Sequence, residues 1–190
     1  MDIGQTALRA SLVWGARIGP AGFRKLLSAY RSVESIIAAE DRSLREVDGR
    51  LNEGQIAAIR STGDRADEYA QMLQDLENEG ITVAPPDASA YPRALLSLRN
   101  APPLLCIRGA ISAADRAAVA MVGSREAGRE DCERALQIAR ICVDAGFTVV
   151  SGLAVGVDTA SHRGALLGSG RTVAVLGSGV RNVYPRRNVD

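Results

Sequence analysis

The chain has 190 residues, 46% hydrophobic and 24% charged, so it can bury a core and is not compositionally disordered. Aromatic residues are only 4%, which excludes a binding surface built from many stacked rings. The net charge of +1 excludes a polycation, so any nucleic-acid binding has to come from a local arrangement of charge.

Residues 1–80 read as helices separated by short turns. Gln5 to Trp14 forms the first, with Ala7, Leu8, Leu12 and Val13 on its apolar face. The turn Ile18-Gly19-Pro20-Ala21-Gly22 leads into a helix from Phe23 to Tyr30. Ser32 caps Val33 to Ala39, Asp41-Arg42-Ser43 opens another short helix, and Asn52 caps Glu53 to Arg60. Asp64 to Gly80 is a longer acidic helix ending on a glycine.

Residues 81–110 change character. Ile81-Thr82-Val83 and Leu104 to Gly109 read as strands, and five prolines (Pro85, Pro86, Pro92, Pro102, Pro103) make the stretch a connector with fixed bends. From residue 111 onward, apolar strands alternate with helices. The strands are Ala117–Val122, Phe147–Val150 and Arg171–Leu176, and the helices are Glu130–Ala145 and Val157–Leu167. This pattern indicates a doubly wound, parallel α/β sheet of Rossmann-like type. It has three core strands, or five if the two preceding ones join it. The sheet reads as truncated, because the chain stops at Asp190, just past a strand-end loop. The expected organisation is thus a helical domain (1–80), a connector (81–110) and an incomplete α/β domain (111–190).

Charge follows this organisation. Residues 1–60 carry net +2, residues 61–100 net −4, and residues 101–190 net +3. The acidic helix is therefore no polyanion contact, while either flank can be one. All cations but Lys25 are arginines, whose planar guanidinium suits phosphate oxygens. Cys106, Cys132 and Cys142 show no CxxC spacing and His162 is the only histidine, so no zinc set is expected. Reduced cysteines, no basic n-region before an apolar run and no segment near ~18 apolar residues predict a cytoplasmic protein without signal peptide or membrane span.

The residues that can carry chemistry lie at the strand ends. Gly123-Ser124-Arg125 follows the first core strand, Ser151-Gly152-Leu153-Ala154-Val155-Gly156 the second, and Gly177-Ser178-Gly179 the third. Ligands of open parallel sheets bind at such carboxyl ends. Small residues let the backbone approach a phosphate, and helix N-termini supply N–H donors. The candidate phosphate-binding set is Gly123, Ser124, Arg125, Ser151, Gly152, Ala154, Gly156, Gly177 and Ser178. There is no GxGxxG and no acidic residue ending the second strand, which disfavours a dinucleotide oxidoreductase; GxxxxGK[ST] is absent too. No cofactor is expected.

Several ordered motifs resemble the DNA-processing protein A (DprA/Smf) family. They are Val119-Ala120-Met121-Val122-Gly123-Ser124-Arg125, then Ser151-Gly152-Leu153-Ala154-Val155-Gly156-Val157-Asp158 followed by Ser161-His162, and the tail Val183-Tyr184-Pro185 with Asn188. Upstream, Tyr91-Pro92-Arg93 and Ala101-Pro102-Pro103-Leu104-Leu105 also match. The resemblance covers about residues 90–190. It implies single-stranded DNA binding, loading of the RecA recombinase onto that DNA in natural transformation and recombination, and no enzyme activity. It also implies a homodimer in full-length members, whose interface lies in later strands. Gly123, Ser124, Arg125, Ser151, Gly152 and Gly156 would line the phosphate pocket, with Asp158 and His162 in support; Asp158 is expected to cap the next helix or orient the loop. Val155 and Glu126 depart from the family pattern, the former removing a position that is often basic.

The first helices resemble a helix–hairpin–helix or SAM-like module. Gly19 and Gly22 form its hairpin, and Arg24 and Lys25 open the next helix, a set able to contact phosphates without reading bases. A protein-contact role fits that module equally. Arg181, Arg186 and Arg187 either extend the phosphate groove or form a solvated end. Two other function classes stay open: a nucleotide-processing enzyme using similar loops for a sugar phosphate, and a protein-interaction fragment that binds no nucleic acid.

Overall fold

The computed structural model describes residues 2–188. It divides into two compact units, Met1–Ala110 and Ile111–Asp190.

The first unit contains six α-helices among its described residues: α1 (Ile3–Ala10), α2 (Pro20–Tyr30), α3 (Val33–Ala38), α4 (Asp41–Val47), α5 (Glu53–Arg60) and α6 (Ala66–Asn78). Local chemistry sets several boundaries. The Asp2 carboxylate accepts from the N–H groups of Gly4 and Gln5 to start α1. Asn52 and Gln55 form a reciprocal capping box on α5, and Pro20 stands at the start of α2, where no N–H is needed. The core is built from Leu12, Ile18, Phe23, Leu26, Ile36, Leu44 and Ile59. Strands β1 (Ile81–Ala84) and β2 (Leu105–Arg108) pair antiparallel with each other in a separate two-stranded sheet. They do not join the parallel sheet, so the five-stranded alternative is excluded.

The first helix differs from its sequence expectation. It does not run from Gln5 to Trp14, because Ser11–Gly15 form a π-turn in which Ala16 N–H donates to Ser11 O at 2.9 Å. The extra residue lets Ile18 turn into the core, where it is 2% exposed.

The second unit is Rossmann-like. Strands β3 (Ala118–Ala120), β4 (Thr148–Ser151) and β5 (Thr172–Ala174) run parallel in the order β3-β4-β5. Helices α7 (Arg129–Asp144) and α8 (Val157–Leu167) connect them. Two right-handed crossovers advancing in one direction put both helices on the same face of the sheet. There they pack closely, since a Cβ on Gly164 would lie 2.9 Å from the Cβ of Ala139. The small core between helices and sheet consists of Ala139, Val149 and Ala165, with Met121, Cys142 and Val143 around it.

At the amino end of this sheet, one half-buried carboxylate ties three segments. Asp115 accepts from Arg171 Nε at 2.5 Å and Nη2 at 2.8 Å, and from the Thr148 hydroxyl at 3.0 Å. The opposite, carboxyl end is left to the loops. All three cysteines are free and half-buried.

Candidate nucleic-acid interface

The order β3-β4-β5 brings the three Gly/Ser loops side by side along the carboxyl edge of the sheet. Two of them are locked together. Val157 N–H donates to Ser124 O at 3.2 Å, and the buried Ser151 hydroxyl donates to Met121 O at 2.7 Å. Glycine is required at the contact. A Cβ on Gly156 would collide with the Ser124 carbonyl oxygen, and one on Gly123 would lie 2.6 Å from Val157. Gly156 also has φ +83, which favours glycine.

Asp158, one residue into the first turn of α8, is 7% exposed. Its Oδ2 accepts from the N–H groups of Gly152 at 3.2 Å and Ala154 at 3.3 Å. The carboxylate thus fills the position an anion would take in this loop and orders the turn from the inside. Gly152 and Ala154 donate inward, and a Cβ on Gly152 would press to 2.9 Å from the same oxygen.

The outward-facing part of the edge is different. Arg125 is exposed and makes no ion pair among the described residues. Ser124 is exposed, and its hydroxyl oxygen accepts from Glu126 N–H at 3.0 Å, which turns the chain sharply under Arg125. The N–H groups of Ser124 and Arg125 meet no protein acceptor among the described residues. Gly177 and Ser178 are exposed, with open space around the Gly177 Cα. Between them these four residues supply one guanidinium, backbone donors with no acceptor among the described residues and a glycine with open space beside it, groups of the kind that bind phosphate.

His162 faces the interior. Burial lowers the pKa of its imidazole, against an opposing pull from the Asp158 charge. Nδ1 lies 2.7 Å from the Thr172 hydroxyl oxygen, which itself donates to Val149 O at 2.8 Å. With the Thr172 hydrogen directed at Val149 O, the Thr172 oxygen is the acceptor for an Nδ1–H donor. The Ser151 backbone lies within hydrogen-bonding reach of the ring, but neither the Ser124 nor the Ser151 hydroxyl bonds it, so no serine–histidine nucleophile pair is assembled among the described residues.

The tail returns to the site. Asn188 Nδ2 donates to Leu153 O at 3.0 Å and to the Thr159 hydroxyl oxygen at 2.7 Å. The Thr159 hydroxyl in turn donates to Ala154 O at 2.6 Å. Thr159 was not legible as a site residue, because nothing marks a helical threonine whose hydroxyl bonds back into the preceding loop.

The hairpin of the first unit is described by itself. Gly19 caps α2, and a cleft of about 300 Å³ opens beside Gly19, Pro20, Ala21 and Gly22. The buried Asp48 closes one side of it. Its carboxylate is held below its ordinary pKa, chiefly by hydrogen bonds from Arg50, and also pairs with Lys25 at 3.2 Å. The Lys25 charge is thereby largely offset within the protein, whereas Arg24 is exposed and unpaired among the described residues.

Among the described residues, no group of three or more His, Cys, Asp or Glu side chains is placed to hold a metal ion. No described helix is long and apolar enough to cross a membrane.

Comparison with known proteins bears on this edge. The family model for DNA recombination-mediator protein A matches residues 82–190. The chain is 30% identical to Protein Smf of Synechocystis over 175 residues, which is 90% of this chain and 44% of that protein. It is 36% identical to DNA processing protein DprA of Streptococcus pneumoniae over 98 residues, 52% of this chain and 34% of that protein. The X-ray structure of DNA processing protein A from S. pneumoniae superposes with a TM-score of 0.75 at 22% identity, covering 100% of this chain and 62% of the other. The chain thus spans less than half the length of these curated relatives.

Proposed function

Since this chain belongs to the DNA recombination-mediator protein A family, we propose that it binds single-stranded DNA along the strand-end loops of its Rossmann-like unit. In this reading it presents that DNA to the RecA recombinase during transformation and recombination in the cytoplasm. It does so as a binding protein, without catalysing a reaction. Homodimerisation is proposed for the longer family protein.

The observation that carries the reading is Arg125. It is an exposed guanidinium with no ion pair among the described residues, beside backbone donors that meet no described acceptor, at the end of an open parallel sheet. Backbone donors and one arginine recognise phosphate and carry no base information, which suits a strand of any sequence. The absence of a serine–histidine pair among the described residues favours binding over covalent catalysis.

Fluorescence anisotropy of labelled oligo-dT, with a duplex control and a salt series, tests it. The expected result is preference for the single strand and a log-linear loss of affinity with salt. Arg125→Glu should abolish the binding. A folded protein that ignores oligo-dT at low salt would end the proposal. The RecA step is tested separately, by whether the chain speeds RecA assembly on single strands already coated by a single-strand-binding protein.

A further inference from the structure

A cleft of about 370 Å³ runs between α7 and α8, adjoining the strand-end loops. Gly156 forms part of its wall, so the cleft begins where the candidate phosphate site ends. Three guanidinium groups line it: Arg129 from α7, Arg163 from α8 and Arg187 from the tail. One carboxylate, Glu133, answers them and pairs with Arg129 at 2.8 Å. Arg163 and Arg187 are exposed and have no ion pair among the described residues.

The helical repeat explains the alignment. Gly156 caps α8, and Thr159 and Arg163, three and seven residues further on, share one face of that helix. Seven residues along a helix place Arg163 about 10 Å beyond Gly156. Asn188 pins the tail to Leu153 and Thr159, which fixes Arg187 over the same opening. The residual charge is two arginines in line with the loops.

We propose that this cleft is a second phosphodiester subsite, into which a single DNA strand continues after leaving the strand-end loops. The inference rests on the proposed single-strand binding at those loops. Glu133 tempers the subsite by holding Arg129, so Arg163 and Arg187 make the contacts.

The test compares oligo-dT of about four and about twenty nucleotides across a salt series, spanning the footprint of one small binding module. The proteins are the wild-type chain, Arg125→Ala, the double variant Arg163→Ala/Arg187→Ala, and Glu133→Gln. Circular dichroism and thermal melting verify folding; Arg187→Ala alone, on the tail, serves if the double variant unfolds. Arg125→Ala should weaken both lengths. The double variant should weaken only the long strand and reduce its log-affinity against log-salt slope by about 1.4, that is about 0.7 for each lost contact. Glu133→Gln should tighten the long strand, by releasing Arg129.

An unchanged slope in the double variant, with Arg125→Ala still damaging, overturns the cleft and leaves the loop site standing. A damaging double variant with a silent Arg125→Ala overturns the loop site, and with it the idea of one continuous track. Free dTMP that erases the difference between long and short strands would make the cleft a mononucleotide site instead. A wild-type chain that binds neither strand overturns both readings.

Discussion

Gly156 and Ser124 are in contact across two loops: no side chain fits between the Gly156 Cα and the Ser124 carbonyl oxygen. The two loops meet through their backbones, and this fixes where Arg125, the next residue, leaves the surface. Gly156→Ala combines a steric clash with a strained φ of +83. It should cost on the order of 2 kcal/mol or more of stability and displace Arg125. Gly177→Ala is the matched control. Its Cα has open space and an ordinary φ, so stability should change by less than about 0.5 kcal/mol. Because Gly177 faces the proposed phosphate, its binding of oligo-dT should still weaken. Urea denaturation of both variants, with anisotropy, separates the two roles. Equal stability loss in the pair would contradict the assignment.

Asp158 holds the β4 loop by accepting from two backbone N–H groups, Gly152 and Ala154, while 93% buried. Hydrogen bonds to a charged acceptor are worth more than neutral ones, and their loss leaves two donors unsatisfied. Asp158→Ala should therefore destabilise by about 2–3 kcal/mol. Asp158→Asn keeps one acceptor oxygen and should lose less. Chemical denaturation resolves the two, and near-equal losses would show that the carboxylate charge matters little to the loop.

These loops show what composition reveals and what it leaves out. Glycine at positions 123, 152 and 156 announces a close approach, and the sequence reading attached that approach to a phosphate. In the structure the Cβ direction of each is taken by protein: Val157 beside Gly123, Asp158 beside Gly152 and Ser124 beside Gly156. A sequence specifies that a Cβ is unwelcome, but not which atom would meet it. The β–α alternation was legible because apolar runs and helical spacing are local signals. The π-turn at Ser11–Gly15 was not, since an apolar stripe tolerates one inserted residue without visible change. The strands are also shorter than their apolar runs. β3 ends at Ala120, although Met121 N–H still donates to Val150 O, so the run continues as a near-strand beyond its ladder. Arg163 escaped notice because its meaning depends on α7, packed beside it, and on the returning tail.

Asp115 and Arg171 make the stability of the second unit sensitive to acid. The Arg171 guanidinium, donating in a bidentate pair, holds the Asp115 carboxyl down at about 2, from an ordinary value of 3.8. The lowered native value means that the pair's contribution is complete above pH 3.8 and is lost as pH falls from 3.8 towards 2. Arg171 is 39% exposed, so solvent screens the pair and its worth is about 1 kcal/mol. Asp115→Asn should show that loss already at neutral pH and a flatter profile below pH 4. Unfolding midpoints of both proteins between pH 2 and 6 measure it, and parallel curves would remove Asp115 from the acid transition.

His162 acts in a higher window. Burial lowers its native pKa below the ordinary 6.5, so the unfolded chain takes up the proton first. Its contribution is therefore complete above pH 6.5 and declines as pH falls from there through the native value. The decline is at most about 1.4 kcal/mol per pH unit for one proton. Protonation also places a charge on Nε2, a buried atom with no partner, close to the Asp158 that orders the β4 loop. His162→Gln removes the titration while retaining a polar group that can reach Thr172. Between pH 7.5 and 5, the stability of the wild type should fall more steeply than that of the variant, with the difference confined below pH 6.5. Denaturation at half-unit pH steps gives both curves, and a constant offset between them would mean that the imidazole stays neutral throughout and takes no part in the pH response.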